Sequence, residues 1–254
     1  MSIELIAIND FPIIKKGDDL PNIIYESLIK NNITLNDTDI LVLAETVVSK
    51  AEGNYVEIES VIPGDEAVEL SKKSGKDAKQ CQIILDHTKK IIRCQEGLII
   101  TETPHGFVCA NSGIDNSNCE KGYVTPLPAD PDSSARKIKE YLDEKFGSDC
   151  KIIISDTHGR AWRVGAIGVA VGISGMHPIT DFRGTFDLYG QELMSTIEGT
   201  ADELASAASL LMGQSDSGIC LVLIRGYDSS LTACSSTEAS ISEIIRDENQ
   251  DAFR

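Results

Sequence analysis

Side chains able to bind a metal ion and phosphate are concentrated between positions 156 and 163. Asp156 and Thr157 offer carboxylate and hydroxyl oxygens, and Gly159 permits a sharp backbone turn. Arg160 and Arg163 can each form paired hydrogen bonds with a phosphate or carboxylate group. Because Mg²⁺ and Mn²⁺ prefer such oxygen ligands, the segment predicts a site for a metal ion and a phosphate.

Two further patches, residues 111–118 and 213–218, also combine glycine with polar oxygens. If folding brings the patches together, Asp115 and Asp156 could bind metal ions with help from Thr157 and Gln214. The alternative is that both aspartates only cap turns. For the two arginines the alternative is pairing with surface carboxylates. His158 is either a general base or a hydrogen-bonded loop residue.

The elements that position these patches are predicted from apolar patterns. Short aliphatic runs predict strands at residues 2–8, 40–43, 91–92, 98–101, 152–154 and 219–224. Capping residues and helical periodicity predict helices after Asp18 or Asp19, on both sides of Gly75, and over 133–146, 201–212 and the tail from Ser236. Residues 45–53 form either a phosphate cradle or an ordinary loop. Residues 188–194 form either a short helix or an extended segment. The chain contains no internal repeat and no low-complexity linker.

Composition excludes several classes of function. The 254 residues include 40 acidic and 23 basic side chains, giving a formal charge of −17. Nucleic acid or an anionic membrane would require a basic surface, so neither is an expected partner. Seven cysteines without a paired motif indicate a reducing compartment and argue against zinc. No apolar run reaches roughly 18 residues, so we expect a cytoplasmic protein.

Glycines at 165, 168, 172 and 175 alternate with small apolar residues. This spacing does not match the dinucleotide-binding pattern, which requires a different glycine arrangement between a strand and a helix. It predicts a strand against which another backbone packs closely.

Several motifs, taken together and in order, resemble the coenzyme F420-0 γ-glutamyl ligases. The most distinctive are NSGIDNSN at 111–118, DTHGRAWRVG at 156–165 and LLMGQ at 210–214. Residues 15–20, 46–50 and 187–190 also resemble the family, so the similarity covers almost the whole chain. Two positions depart from the family pattern. Glu45 stands where a small hydroxyl residue is expected, and His158 stands where asparagine is common.

The resemblance implies a GTP-dependent ligase that adds L-glutamate through γ-linkages to coenzyme F420-0, a deazaflavin precursor. The reaction would proceed through an acyl phosphate and give GDP and phosphate, with two divalent metals, Mg²⁺ or Mn²⁺, and potassium as a further candidate cation. The implied fold is α+β (mixed α/β), with two domains in an intertwined homodimer. Residues 1–90 and 200–254 would form the nucleotide-binding domain, and 91–199 an inserted metal, substrate and dimerisation domain.

The resemblance also implies roles for individual residues. Asp115, Asp156, Thr157 and Gln214 would hold the metals, and Lys50, Arg160 and Arg163 would act as catalytic cations. GTP would be lined by Phe11, Pro12, Ile13, Ile14, Glu45, Thr46, Lys50, Asn118, Met212, Gly213, Gln214, Ser215, Asp216, Ser217, Gly218 and Ile219. Two alternatives stay open, namely an amide ligase with another acid acceptor and a non-catalytic GTP-binding sensor dimer.

Overall fold

The computed structural model describes residues 2–228, 232, 234 and 239–252. The helices are α1 Leu20–Lys30, α2 Glu45–Glu52, α3 Asp65–Ser74, α4 Ala78–Asp86, α5 Pro131–Phe146 and α6 Thr200–Met212. The strands are β1 Glu4–Ala7, β2 Ile40–Ala44, β3 Val56–Glu57, β4 Lys90–Gln95, β5 Leu98–Glu102, β6 Val108–Ala110, β7 Tyr123–Val124, β8 Lys151–Gly159, β9 Ala166–Ser174, β10 Thr180–Asp181, β11 Ile197–Glu198 and β12 Leu221–Arg225. The mixed α+β class predicted from the sequence is confirmed.

A five-stranded sheet forms the centre of the fold, in the order β1-β12-β2-β8-β9. Strands β2 and β8 run parallel, whereas the other neighbouring pairs are antiparallel. The aliphatic runs of β2, β8 and β12 are buried on both faces, which explains why they read as continuous apolar segments. Their side chains belong to one core that also includes α1, α5 and α6.

Helices α5 and α6 both contact β9, and glycines in that strand allow the close approach. A Cβ at Gly168 would lie 2.6 Å from the Ala205 carbonyl oxygen on α6. A Cβ at Gly172 would lie 2.5 Å from the Cβ of Pro131 on α5. Both distances are shorter than carbon and oxygen atoms tolerate, so the prediction of close backbone packing is confirmed.

A smaller unit packs α3 and α4 near the sheet β4-β5-β6. Its own core is formed by Ala67, Leu70, Cys81, Ile84 and Ile99. The two helices are separated at the predicted glycine, Gly75, whose φ of 70° ends α3 in the left-handed conformation. The predicted division into one domain of residues 1–90 and 200–254 and a second domain of residues 91–199 stays a prediction. Strands β8 and β9 of the central sheet come from residues 91–199.

Two local expectations are wrong. Residues 45–53 are not a loop, because α2 starts at Glu45 directly after β2. Strand β8 does not stop at Ile154 but continues to Gly159, so the polar patch lies within a strand. Of the two alternatives for residues 188–194, the helix is excluded, because the segment contains turns and bends but no helix. The predicted start of the tail helix, Ser236, lies outside the described residues, and the described tail contains a short 3₁₀ helix at Ile241–Ile244.

All seven cysteines are free thiols. Within the described ranges, none of the helices has the length and apolar character needed to cross a membrane.

Candidate functional site

A cavity of about 570 Å³ opens beside the central sheet where β2 ends and β8 continues beyond it. Because these strands are parallel and Ala44 pairs with Ser155, the residues that follow this pair lie at the same edge of the sheet. The next residues along each strand, Glu45 and Asp156, therefore both face the cavity. The remaining walls come from residues 11–14, the turn 110–118, the end of α6 and the loop 213–220.

The three polar patches predicted from the sequence meet at this cavity. Asp115, Asp156, Thr157 and Gln214 all line it. Gln214 Nε2 donates a hydrogen bond to Thr157 Oγ1 at 3.4 Å, which links the last patch to β8. The Thr157 backbone N–H donates to Asp156 Oδ1 at 2.6 Å. The Ser117 backbone N–H donates to Asp115 Oδ1 at 2.8 Å, so both carboxylates have fixed orientations.

Glu45 adds a third carboxyl group to the cavity wall, and it is buried at the first turn of α2. Burial raises the pKa of Glu45 well above its ordinary value, and the nearby negative charge of Asp156 raises it further. The Thr46 hydroxyl donates to one Glu45 carboxyl oxygen at 3.0 Å, and the Ser49 hydroxyl oxygen lies 3.2 Å from the other. The cavity wall therefore carries three carboxyl groups, and oxygen-rich walls of this kind suit a hard cation.

His158 fixes the orientation of Asp156 from the neighbouring position on β8. Its Nε2 donates to Asp156 Oδ2 at 2.9 Å. Burial lowers the pKa of His158, but hydrogen bonding to Asp156 and to the Cys109 thiol outweighs burial and raises that pKa to about 10. The imidazole is thus held as a cation beside the carboxylate, an arrangement that favours a positioning role over that of a general base.

The nucleotide-lining residues expected from the family resemblance surround the same cavity, except Asp216. Lys50 Nζ donates to the Asn118 carbonyl oxygen, and the Lys50 side chain is buried in the cavity wall. Phe11, Pro12, Ile13 and Ile14 form the apolar side. In the loop after α6, Gly213 and Gly218 adopt φ values of 70° and 69°, and the Ser217 hydroxyl donates to the Met212 carbonyl.

The structure does not place Arg160 and Arg163 on this cavity. Both lie in the turn that joins β8 to β9. The Arg160 guanidinium donates to the carbonyl oxygens of Val164 and Gly165 at 3.5 and 3.4 Å, and Arg163 is exposed. Their catalytic role therefore stays a prediction.

The donor set fits a metal ion that completes its coordination with phosphate oxygens and water. Among the described residues there is no group of three or more His, Cys, Asp or Glu side chains placed to hold a metal by themselves. Two carboxylates, one hydroxyl and one amide oxygen match the incomplete oxygen shell that proteins offer to nucleotide-bound Mg²⁺ or Mn²⁺.

Ser209 and Cys220 are among the lining residues that sequence reasoning missed. Ser209 lies three residues before Met212 on α6, so helical spacing could have placed it on the same face. Cys220 precedes β12 and gave no signal of its own. Burial raises the pKa of its thiol to about 12, so this cysteine is neutral.

Comparison with known proteins identifies the family. The sequence model described as "F420-0:Gamma-glutamyl ligase" matches residues 9–226. The chain belongs to this γ-glutamyl ligase family. A relative from Methanothermobacter thermautotrophicus, named "Coenzyme F420:L-glutamate ligase", is 46% identical over 254 residues, which cover 100% of both chains.

Two further relatives carry the same name. The one from Methanocaldococcus jannaschii is 43% identical over 252 residues, covering 99% of this chain and 97% of the relative. The one from Methanosarcina mazei is 41% identical over 254 residues, covering 100% of this chain and 96% of the relative. The γ-glutamyl ligase match includes every segment that lines the cavity, so the cavity is part of the family region.

Proposed function

We propose that this ligase adds L-glutamate through γ-linkages to coenzyme F420-0, using GTP to activate the acceptor acid. The names of its full-length relatives support glutamate as the added group. The observation that carries the nucleotide-dependent chemistry is the convergence of Asp115, Asp156, Thr157 and Gln214 with the buried Lys50 in one cavity. Phosphoryl transfer requires metal ions and positively charged side chains close together, because both neutralise charge on the phosphate oxygens.

The proposed reaction has two steps. A carboxylate is a poor acyl donor because oxide is a poor leaving group, so one acceptor carboxylate oxygen first attacks the γ-phosphorus of GTP and GDP leaves. The resulting acyl phosphate has phosphate as a good leaving group. The glutamate amine then attacks the acyl carbon, the amide C–N bond forms, phosphate departs and the amine loses a proton.

The chain's own residues would bind and orient these reactants. Asp115 and Asp156 would hold one divalent metal, and Thr157 and Gln214 would help to hold a second. When bound, the metals supply neutralisation of the phosphate charge. Lys50 would offset part of the remaining charge, which matters in a protein with a formal charge of −17. Residues 11–14 and 212–219 would enclose the nucleotide.

The direct test supplies purified protein with GTP, Mn²⁺, L-glutamate and coenzyme F420-0. We expect release of GDP and a mass gain of the acceptor that corresponds to glutamate. Asp156→Asn should abolish both signals, whereas the matched change Asp65→Asn, at an exposed position on α3, should leave them intact. Absence of glutamylated product with the wild-type protein would sink the proposal. GTP binding without turnover would favour a sensor.

The proposal includes a homodimer in the cytoplasm. A two-stranded arm, residues 180–198, carries exposed apolar side chains that a second copy could cover. These are Phe186, Leu188, Tyr189, Met194 and Ile197.

A further inference from the structure

The proposed reaction brings three reactants together, and the cavity described above, here called the first cavity, is too small to enclose all of them. Its volume is about 570 Å³. Cavities of roughly 300–1,000 Å³ usually hold a single drug-sized ligand. In the proposed function that ligand is the nucleotide with its metals. Much of the acceptor must therefore bind on a surface that adjoins the first cavity.

A second cavity, of about 380 Å³, does not adjoin the first in this way. It lies between residues 54–56, 103–105 and 126–129, and among the described residues none lines both cavities. None of the residues that line the second cavity is Asp, Glu, Lys or Arg. It therefore offers no charged side chain to an acceptor that carries an acid group.

The turn that joins β8 to β9, residues 160–165, begins at the wall of the first cavity. Residues 157–159 line that cavity, and the turn follows them directly in the chain. Arg160 shapes the turn, because its guanidinium donates to the Val164 and Gly165 carbonyl oxygens at 3.5 and 3.4 Å. A ligand that lies partly in the cavity can thus continue onto this turn.

Trp162 lies in this turn with an unfavourable backbone conformation. It is the single tryptophan of the chain, and the residue is 88% exposed. Its φ of 65° lies in the left-handed region, which is an outlier for a bulky side chain. At this exposure, little burial of the indole offsets the strain. Strained conformations cluster at functional sites, so Trp162 is a candidate for contact with a ligand.

The same turn is positively charged in a strongly acidic chain. It contains Arg160 and Arg163, and the sequence has no acidic residue between Asp156 and Asp181. Arg163 is exposed, whereas the formal charge of the whole chain is −17. An anionic ligand is therefore attracted to the turn more than to most of the surface. An indole beside a guanidinium suits a flat ring that carries a negative group.

We propose that the turn at residues 160–165 binds the acceptor outside the first cavity, with the deazaflavin ring stacked on Trp162 and a negatively charged group bound by Arg163. The inference rests on the proposed function and deepens it, because it names the surface that recognises the acceptor. The acid to be phosphorylated then extends along residues 157–159 toward Asp156 and the nucleotide.

A second copy of the chain is the other molecule that could cover Trp162. The strand that leads into the turn lines the first cavity, which favours the acceptor. Because the chain has one tryptophan, its fluorescence reports on this residue alone. We expect the emission of a solvent-exposed indole at every protein concentration when the acceptor is absent. Emission typical of a buried indole would assign the turn to a second copy and overturn the inference.

Substitutions at Trp162 separate ring binding from folding. Trp162→Gly removes the indole and also relieves the strain, because glycine adopts a positive φ without steric cost. The melting temperature of this variant should therefore not fall below that of wild type. Trp162→Phe keeps a flat aromatic ring. Ile62→Ser is the matched control, because Ile62 is also apolar and 88% exposed but lies outside the turn.

The first readout is the KM for coenzyme F420-0. We expect it to rise about tenfold or more in Trp162→Gly, because stacking of a flat heterocycle on an aromatic side chain contributes about this much to affinity. Trp162→Phe should recover much of the loss. The KM for GTP and the kcat should stay unchanged, as should all constants in Ile62→Ser. An unchanged KM for the acceptor in Trp162→Gly would overturn the inference.

The second readout works even if the protein ligates nothing. A deazaflavin fragment without phosphate or carboxylate is titrated into the protein without GTP, metal or glutamate, and binding is followed by the fluorescence anisotropy of the fragment. We expect wild type, Ile62→Ser and Arg163→Gln to bind the fragment, and Trp162→Gly to lose binding. No binding by the wild type, or equal binding by Trp162→Gly, would show that the turn does not take the ring.

The role of Arg163 is tested with intact coenzyme F420-0 in the same assay. Arg163→Gln should bind it more weakly than wild type at low salt, and the difference should shrink as salt screens the charge. Equal affinity of the two proteins at low salt would show that Arg163 does not bind the acceptor.

Discussion

At the scale of single residues, the three carboxyl groups of the first cavity differ in their surroundings. Asp115 and Asp156 accept backbone hydrogen bonds, which hold their carboxylates in fixed orientations. Glu45 is buried beside them and its pKa is raised, so it retains a proton more readily. In the proposed function the two aspartates hold the metal, whereas Glu45 interacts with the hydroxyls of Thr46 and Ser49 at the start of α2.

The effect of Glu45 on stability can be measured against pH. Its folded-state pKa lies above the ordinary 4.5, so the folded chain binds more protons than the unfolded chain between these two values. The contribution of Glu45 to stability is therefore lost as pH rises through that window. We expect Glu45→Gln, compared with wild type in EDTA, to gain stability progressively from pH 4 to pH 8 in thermal melts. A constant difference across that range would contradict the raised pKa.

His158 should act on the metal through Asp156. Because its Nε2 holds Asp156 Oδ2 at 2.9 Å, loss of the imidazole frees the carboxylate to rotate. We expect His158→Ala to raise the Mn²⁺ concentration needed for half-maximal activity by about 10–100-fold, as is usual when a partner of a metal ligand is removed. His158→Asn, which keeps an N–H donor, should recover much of this loss.

The control for this experiment is His177→Ala. His177 also pairs with a carboxylate, Glu243 at 3.0 Å, but it lines neither cavity. It should leave the Mn²⁺ requirement unchanged. A fall in kcat with the same Mn²⁺ requirement in His158→Ala would point to a role other than positioning Asp156.

Sequence patterns were sufficient to group Asp115, Asp156, Thr157 and Gln214, because residue type restricts which side chains can bind a hard cation. They were insufficient for Arg160 and Arg163. These arginines were expected beside Asp156 on the assumption that β8 ends there. The strand instead continues to Gly159, paired with β9, and carries the following turn beyond the cavity. Pairing between strands distant from a residue is not encoded in its local sequence.

At the scale of elements, helix α2 was not predicted because its local sequence does not favour a helix. Val47 and Val48 are β-branched and weaken helix propensity, and Ala44 at the N-cap provides no side-chain hydrogen bond. The stabilising contacts are tertiary. The Ser49 hydroxyl donates to the Pro126 carbonyl oxygen at 2.8 Å, 77 positions away in the chain. Apolar runs such as β2 and β12 were predictable because burial on both faces leaves a continuous pattern.

The packing of β9 against α5 depends on Gly172. An added Cβ would lie 2.5 Å from Pro131 Cβ and 2.8 Å from the Pro131 carbonyl carbon, and rigid backbone cannot move aside cheaply. We expect Gly172→Ala to destabilise the protein by about 1–3 kcal/mol, the usual cost of overpacking a core. Chemical denaturation measures this change.

Gly159, at the other end of the same β-hairpin, serves as the control. A Cβ there would have nothing within 4 Å and its φ is not positive, so Gly159→Ala should change stability by much less. Equal losses in the two variants would indicate that backbone entropy, and not the contact with α5, sets the cost of replacing Gly172.

At the scale of the whole molecule, the arm at residues 180–198 is the feature least explained by a single chain. Its two sides pair at β10 and β11 and at the Phe182 N–H to Thr196 carbonyl bond of 3.0 Å. Leu188 and Tyr189 are 101% and 89% exposed. An isolated two-stranded hairpin is marginally stable in water, and exposed apolar groups add to its cost. A second copy of the chain would cover these groups.

We therefore expect the protein to have twice the 27.5 kDa mass of one chain in light scattering. Leu188→Asp places a charge on the arm, so it should shift the protein toward 27.5 kDa at micromolar concentration because burying an unpaired carboxylate is unfavourable. Ile62→Asp changes a residue that is also apolar and 88% exposed but lies outside the arm, and it should leave the dimer intact. A wild-type mass of 27.5 kDa at all concentrations would refute the dimer, whereas dissociation by Ile62→Asp alone would place the interface elsewhere.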